Sequence, residues 1–104
     1  MIRRTLLGLV VAGIVAGGCQ QQLSPQAEKG RQVYMSQCSA CHNANPALPG
    51  AVGPEVKGSS EALLEARVLK GTYQPGYQPK RPTKVMQPMP QMAGDLTALA
   101  EYLR

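Results

Sequence analysis

The sequence predicts a small all-α domain with three to four helices joined by long loops. Three segments carry apolar residues at helical spacing, and no segment alternates apolar and polar residues as a half-buried strand does. The connections at about residues 45–58 and 72–90 are rich in glycine and proline. Loops of this length make physical sense in a compact domain when a bound cofactor organises them.

The first predicted helix begins at Ser24 and Pro25, because serine favours the N-cap position and proline favours the first helical position. We expect it to run to about Gln37. Its apolar face is formed by Ala27, Gly30, Val33, Tyr34 and Cys38.

Two further helices are predicted downstream. The second begins at residues 59–61, which read Ser-Ser-Glu, and ends at Gly71, a residue type that commonly terminates helices. The third ends the sequence, with Asp95 as its expected N-cap. Its apolar positions are Leu96, Leu99, Ala100 and Leu103.

Residues 38–42 read Cys-Ser-Ala-Cys-His, the attachment signature of a c-type haem. Cys38 and Cys41 would add to the two vinyl groups of the porphyrin, and His42 would coordinate the iron. A thioredoxin-like redox pair requires a βαβ setting, and a structural zinc site requires four Cys or His ligands. His42 is the only histidine and the third cysteine is Cys19, so neither alternative fits well.

The front of the sequence has the pattern of a secretory signal peptide, residues 1–18. Arg3 and Arg4 precede an apolar run that ends in small residues. The uncharged stretch of 14 residues is short for a membrane-spanning helix, which needs about 20. Residues 15–19 resemble a bacterial lipobox, which implies that Cys19 becomes the acylated first residue of the mature protein. The alternative is ordinary cleavage that leaves Cys19 as a free thiol.

The predicted organisation is therefore a signal peptide (1–18), an acylated cysteine with a short tether (19–23) and one domain (24–104). We expect an exported lipoprotein anchored to a membrane and facing the periplasm or the cell exterior. Because each cysteine then has a use, none remains for a structural disulfide.

The formal net charge is +5, and part of it is concentrated in residues 67–84. This basic stretch is either a solvated face or a docking surface for an acidic redox partner. Its residues are Arg67, Lys70, Lys80, Arg81 and Lys84. No nucleic-acid-binding motif and no constellation for independent catalysis is found, so neither a nucleic-acid partner nor an enzyme is expected.

Residues 24–104 resemble a small class I cytochrome c with one haem. In that family a small residue and an aromatic residue on the first helix pack against a leucine and an aromatic residue on the last. Gly30, Tyr34, Leu99 and Tyr102 match these places. The resemblance implies the class I cytochrome c fold, with its helices and long loops wrapped around one covalent haem.

Residues 53–58 read Gly-Pro-Glu-Val-Lys-Gly and resemble the family segment that follows the haem motif. The resemblance implies that the Pro54 carbonyl accepts a hydrogen bond from the His42 ring, which would orient this ligand. The alternative is a simple turn.

The resemblance also implies a methionine as the sixth iron ligand. Met89 is followed by proline, as is frequent in the family, whereas Met86 has the better distance to Tyr102, which it precedes by 16 residues. Met92 is expected at the start of the last helix. Met89 is the first choice and Met86 the alternative.

The loop of residues 71–82 is longer and richer in proline than is usual in the family. Four of its side chains could hydrogen-bond a haem propionate, or the segment could be a rigid surface loop. These side chains are Tyr73, Tyr77, Lys80 and Arg81.

The resemblance implies a monomeric electron carrier that uses one haem with His/Met ligation, between redox partners of the membrane or periplasm. Two alternatives stay open. One is a haem-based ligand-binding or sensor protein with a labile sixth site, and the other is a haem subunit of a larger oxidoreductase.

Overall fold

The structure, a computed structural model, describes residues 12–13 and 22–104. Its helical elements are α1 (Pro25–Gln37), α2 (Ser39–His42), α3 (Glu61–Leu64), a π-helical turn (Glu65–Leu69), a 3-10 turn (Pro90–Asp95) and α4 (Leu96–Leu103). Within this described part of the chain there is no strand, which confirms the all-α prediction. The predicted signal peptide and Cys19 lie outside the described residues. No helix in residues 22–104 has the length and apolar character needed to cross a membrane.

Helix α1 begins where the sequence predicts. The Ser24 hydroxyl accepts a hydrogen bond from the Ala27 N–H at 3.1 Å, and Pro25 occupies the first turn. These contacts satisfy one of the backbone donors that a helix start leaves free. The buried residues of α1 belong to the predicted face: Ala27, Gly30 and Tyr34.

Helices α1 and α4 form the main packing contact of the domain, and they cross at Gly30. A Cβ atom on this glycine would overlap the Ala98 carbonyl and lie 2.9 Å from the Tyr102 Cβ, so the close approach depends on its absence. The Tyr34 and Tyr102 rings fill the crossing with their centroids 5.6 Å apart. Around them lies one buried cluster, made of Tyr34, Leu64, Val68, Met92, Leu96, Leu99 and Leu103.

The second predicted helix is present but widens after its first turn. The Ser60 hydroxyl caps α3 by accepting from the Leu63 N–H at 3.1 Å. The helix then continues as the π-helical turn, and Gly71 follows its end with a φ of 66°. The Val68 carbonyl, in that turn, accepts a hydrogen bond from the Met89 N–H at 2.6 Å. This bond fixes the backbone of a distant loop to the core.

Helix α4 starts at Leu96, and Asp95 takes the N-cap position, but the Asp95 side chain makes no capping hydrogen bond. Its carboxylate lies 3.7 Å from the Lys29 ammonium on α1 instead. The 3-10 turn that begins at Pro90 leads directly into α4. Asp95 is therefore the N-cap residue that the sequence predicts, although its side chain makes no hydrogen bond to the helix backbone.

Candidate functional site

A cavity of about 420 Å³ opens in the middle of the domain, between the helices and the two long loops. Apolar side chains make up much of its wall, among them Val52, Leu64, Val68, Leu99 and Leu103. The wall also holds the chemically distinctive groups that the sequence singles out. These are Cys38, Cys41, His42, Met86 and Met89. The fold therefore brings the Cys-x-x-Cys-His motif and the two candidate methionine ligands to one cavity.

The haem motif is placed by a short helical turn directly after α1. The Cys38 N–H donates to the Tyr34 carbonyl at 2.9 Å, and the His42 N–H donates to the Cys38 carbonyl at 3.0 Å. Residues three and four apart on a helix share one face. One turn of helix is thus enough to direct Cys38, Cys41 and His42 to the same cavity.

The His42 ring is held by the turn of residues 50–55, which we call the His42 turn. Its Nδ1 atom lies 2.7 Å from the Pro54 carbonyl oxygen. Because a carbonyl only accepts, Nδ1 carries the proton and Nε2 is the nitrogen left to bind a metal. Gly53 lies against the ring, and a Cβ at this position would collide with it. The contact between His42 and Pro54 that the sequence predicts is present.

Burial of the Cys38 side chain raises the pKa of its thiol to about 11, with the neighbouring Cys41 adding to the shift. A low-polarity setting favours an uncharged sulfur. Within residues 12–13 and 22–104, moreover, no three His, Cys, Asp or Glu side chains come together as a metal-binding group. The cysteines fit a thioether linkage better than a zinc site.

Tyr34 has a second role that sequence reasoning missed. Its hydroxyl donates to the Asn43 carbonyl at 2.6 Å, directly after His42, and burial raises its pKa to about 12. Asn43 itself has a φ of 80°, and its side chain accepts from the Asn45 N–H at 3.0 Å. The Tyr34 hydroxyl thus ties α1 to the residue that ends the haem motif. The signal for this role in the sequence was the choice of tyrosine at position 34, since a hydroxyl group is not needed for packing alone.

The structure separates the methionines. Met86 and Met89 line the cavity and are half-buried. Met92, in the 3-10 turn before α4, is 5% exposed and belongs to the hydrophobic core. Met35 lies on α1 and is 40% exposed. Of the candidates considered from the sequence, only Met86 and Met89 reach the site.

The loop of residues 71–82 forms part of the cavity wall. Tyr73, Tyr77, Lys80 and Arg81 all line the cavity. The two tyrosine rings stack nearly parallel, with their centroids 5.3 Å apart. The Arg67 guanidinium lies 4.2 Å from the centroid of the Tyr73 ring, a cation–π contact that extends the stack.

Several basic residues of the predicted docking surface contact other groups of the domain. Lys80 donates to the Glu55 carbonyl at 2.9 Å, and Arg81 donates to the Gly50 carbonyl at 2.9 Å. Lys70 pairs with Glu65 at 3.3 Å, on the exposed side of the π-helical turn.

The Glu55 carboxylate is close to Lys80 as well, at 3.3 Å. The backbone N–H of Glu55 and the Lys80 ammonium lower the pKa of this carboxyl group. Lys80 therefore contacts both the backbone and the side chain of one residue in the His42 turn.

These observations together define a c-type cytochrome domain. In the described part of the chain, an all-α fold with four α-helices encloses a cavity whose wall holds a Cys-x-x-Cys-His turn, an oriented imidazole and two methionines. The set fits a haem, since it offers two thiols, one available imidazole nitrogen and a thioether in an apolar setting.

Comparison with known families gives the same result. The family model described as cytochrome c oxidase, cbb3-type, subunit III matches residues 25–103, and the chain belongs to this family. The cofactor is accordingly a covalently bound c-type haem, and the domain serves haem-based electron transfer. No curated protein matches the chain.

Proposed function

We propose that this protein is a one-electron carrier whose single haem is bound to Cys38 and Cys41, with His42 and a methionine as axial ligands. When bound, the haem supplies one iron centre that accepts and releases a single electron. The observation that carries the proposal is the convergence of all four groups on one apolar cavity. A carrier of this kind acts between redox partners and is not itself an enzyme.

The protein groups act by holding one geometry in both oxidation states. The Pro54 carbonyl fixes the His42 ring through Nδ1, and the Tyr34 hydroxyl fixes the backbone that follows the ring. Apolar side chains around the cavity exclude water and so favour the less charged, reduced state of the site. A fixed ligand set means that little has to move when the electron arrives.

We propose Met89 as the sixth ligand and Met86 as the alternative. The Met89 backbone is bonded to the Val68 carbonyl at 2.6 Å, and Val68 is buried in the core. That bond limits how far the Met89 side chain can withdraw. The described contacts of Met86 include no comparable backbone bond, so its position is set by the loop around it.

The experiment is a near-infrared spectrum of the purified oxidised protein, in which methionine bound to Fe(III) gives a weak charge-transfer band. We expect Met89→Ala to abolish the band and Met35→Ala, a change on the exposed side of α1, to keep it. Loss of the band in Met86→Ala instead would assign the ligand to Met86. A wild-type protein without the band, which binds carbon monoxide rapidly, would contradict the proposal and favour a sensor with an open sixth site.

Covalent attachment is tested separately with a pyridine haemochrome spectrum of full-length protein from a host that matures c-type cytochromes. We expect one thioether-linked haem per chain. Cys38→Ala and Cys41→Ala should each remove one linkage, which shifts the spectrum. Colourless protein after correct export would refute the assignment of both cysteines.

The signal peptide, the acylation of Cys19 and the membrane location remain part of the proposal. They rest on the sequence pattern of residues 1–19, which resembles a lipoprotein precursor. Detergent phase partitioning tests them, because acylated protein enters the detergent phase. Cys19→Ser should move the protein to the aqueous phase, and an unchanged distribution would contradict the anchor.

A second function is favoured by the family match, whose description names a subunit of an oxidase. In this case the chain would be the haem subunit of a larger oxidoreductase and would pass electrons inside a stable complex. Purification from membranes in a mild detergent distinguishes the two. A stoichiometric partner through all steps supports the subunit, whereas a chain recovered as a monomer supports the free carrier.

A further inference from the structure

Two basic side chains connect the His42 turn with the loop that leads to the methionines. Arg81 reaches the Gly50 carbonyl and Lys80 reaches the Glu55 carbonyl, each at 2.9 Å. Both bonds span more than 20 residues of sequence, with separations of 31 and 25. Contacts of this range connect two distant segments of the chain and do not merely stabilise a local turn.

The His42 turn is itself tied to the haem motif. The Gly53 N–H donates to the Cys41 carbonyl at 2.9 Å, and Pro54 accepts from the His42 ring. Arg81 and Lys80 therefore donate hydrogen bonds to a turn that is itself bonded to the His42 ring and to the haem motif. Through them, the loop before Met86 is held against the same turn.

The other end of this loop is held at Met89, by its bond to Val68. Between Gly71 and Met89 the chain has no helix. A long loop held only at its ends has more conformational freedom than two shorter ones. Contacts at residues 80 and 81 divide the loop and reduce the freedom of the segment that carries Met86 and Met89.

We propose that Lys80 and Arg81 are positioning residues that form a clamp between the His42 turn and the methionine loop, and so keep the sixth ligand on the iron. The inference rests on the proposed function, since it presumes methionine ligation. It differs from a docking role, in which the same two charges would face a partner protein and leave the ligand set unaffected.

Carbon monoxide is the probe, because it binds the reduced iron only while the methionine is away. Its binding rate therefore follows the fraction of molecules in which the loop is open. We expect Arg81→Met to raise the rate about tenfold, as befits loss of a charge-assisted hydrogen bond in a partly exposed place. Lys80→Met acts in the same direction, and the double variant more strongly than either.

Lys84→Met is the matched control. It removes the same charge from the same loop at an exposed position, and within residues 22–104 no side-chain hydrogen bond or ion pair of Lys84 is present. We expect its carbon monoxide rate to equal that of the wild type. Arg81→Lys keeps the charge and a group that can donate a hydrogen bond, so it should restore part of the wild-type rate.

Wild-type rates in both Arg81→Met and Lys80→Met would overturn the clamp, and a salt-dependent loss of electron exchange shared with Lys84→Met would assign these charges to docking. Failure of the proposed function looks different, because the wild type itself would then bind carbon monoxide rapidly. If Arg81→Met does not fold, the exposed Lys80→Met decides alone: an unchanged rate and near-infrared band would overturn the clamp.

Discussion

The crossing of α1 and α4 makes Gly30→Ala the sharpest test of the packing. The new Cβ would overlap the Ala98 carbonyl and lie 2.9 Å from the Tyr102 Cβ. Because a backbone atom is on the other side, no side-chain rotation relieves the contact, and the two helices must separate. The buried Tyr34 and Leu99 side chains would then lose part of their contacts.

The expected size follows from two opposing effects. Replacing glycine by alanine inside a helix stabilises by about 1 kcal/mol, and overpacking a tight site costs up to about 3 kcal/mol. The net effect is a loss of about 2 kcal/mol in the free energy of unfolding. For a domain of this size it lowers the melting temperature by about 8–16 °C.

The assay is thermal unfolding of the haem-loaded protein, followed by far-ultraviolet circular dichroism. Gly94→Ala is the control, since Gly94 has nothing within 4 Å of an added Cβ and lies in the 3-10 turn. We expect this variant to melt near the wild-type temperature. If Gly30→Ala melted at or above the wild type, the close approach of the two helices at this residue would be refuted.

Three further predictions address the site. Tyr34→Phe should destabilise the protein by about 1–2 kcal/mol in chemical denaturation, because the carbonyl after His42 loses its partner; Tyr102→Phe is the control, and equal losses would argue against a special role. Gly53→Ala should displace the His42 ring and change the reduction potential, and an unchanged potential in redox titration would contradict the contact. Glu55 has a lowered pKa when folded, so its contribution to stability is present above its ordinary pKa of 4.5 and is lost as the pH falls through the lowered value. The melting temperature of Glu55→Gln should therefore fall less than that of the wild type as the pH is lowered. An equal fall in both proteins would exclude this contribution of Glu55.

Local signals in the sequence were sufficient for the helix ends and the haem motif. Ser24 acts as the predicted N-cap, and Ser60 caps the helix that is predicted to start at residues 59–61. The spacing of leucines in the last helix reproduces its buried face. The Cys-x-x-Cys-His turn needs only one turn of helix to bring its groups together. In each case the determining contact lies within four residues, so the pattern is readable without the fold.

Contacts between distant segments were not readable in this way. The bond from Arg81 to the Gly50 carbonyl spans 31 residues. Nothing in the composition of the loop shows whether the Arg81 side chain makes such a bond or is simply solvated. The apolar pattern of residues 61–69 does not distinguish a π-helical turn from an α-helix, since the two differ in which carbonyl each N–H reaches. The sequence also does not decide between Met86 and Met89 as the sixth ligand. Both lie in the same loop, and both line the cavity.

The dominance of the α1–α4 contact has a consequence for the order of assembly. The two helices are separated by about 60 residues of chain, and closing a loop of that length is entropically unfavourable until both faces are available. Helix α1 therefore gains its main packing partner only after the eight residues of α4 have formed their helix. Until then, the cavity that Cys38 and Cys41 line lacks the part of its wall that Leu99 and Leu103 of α4 provide.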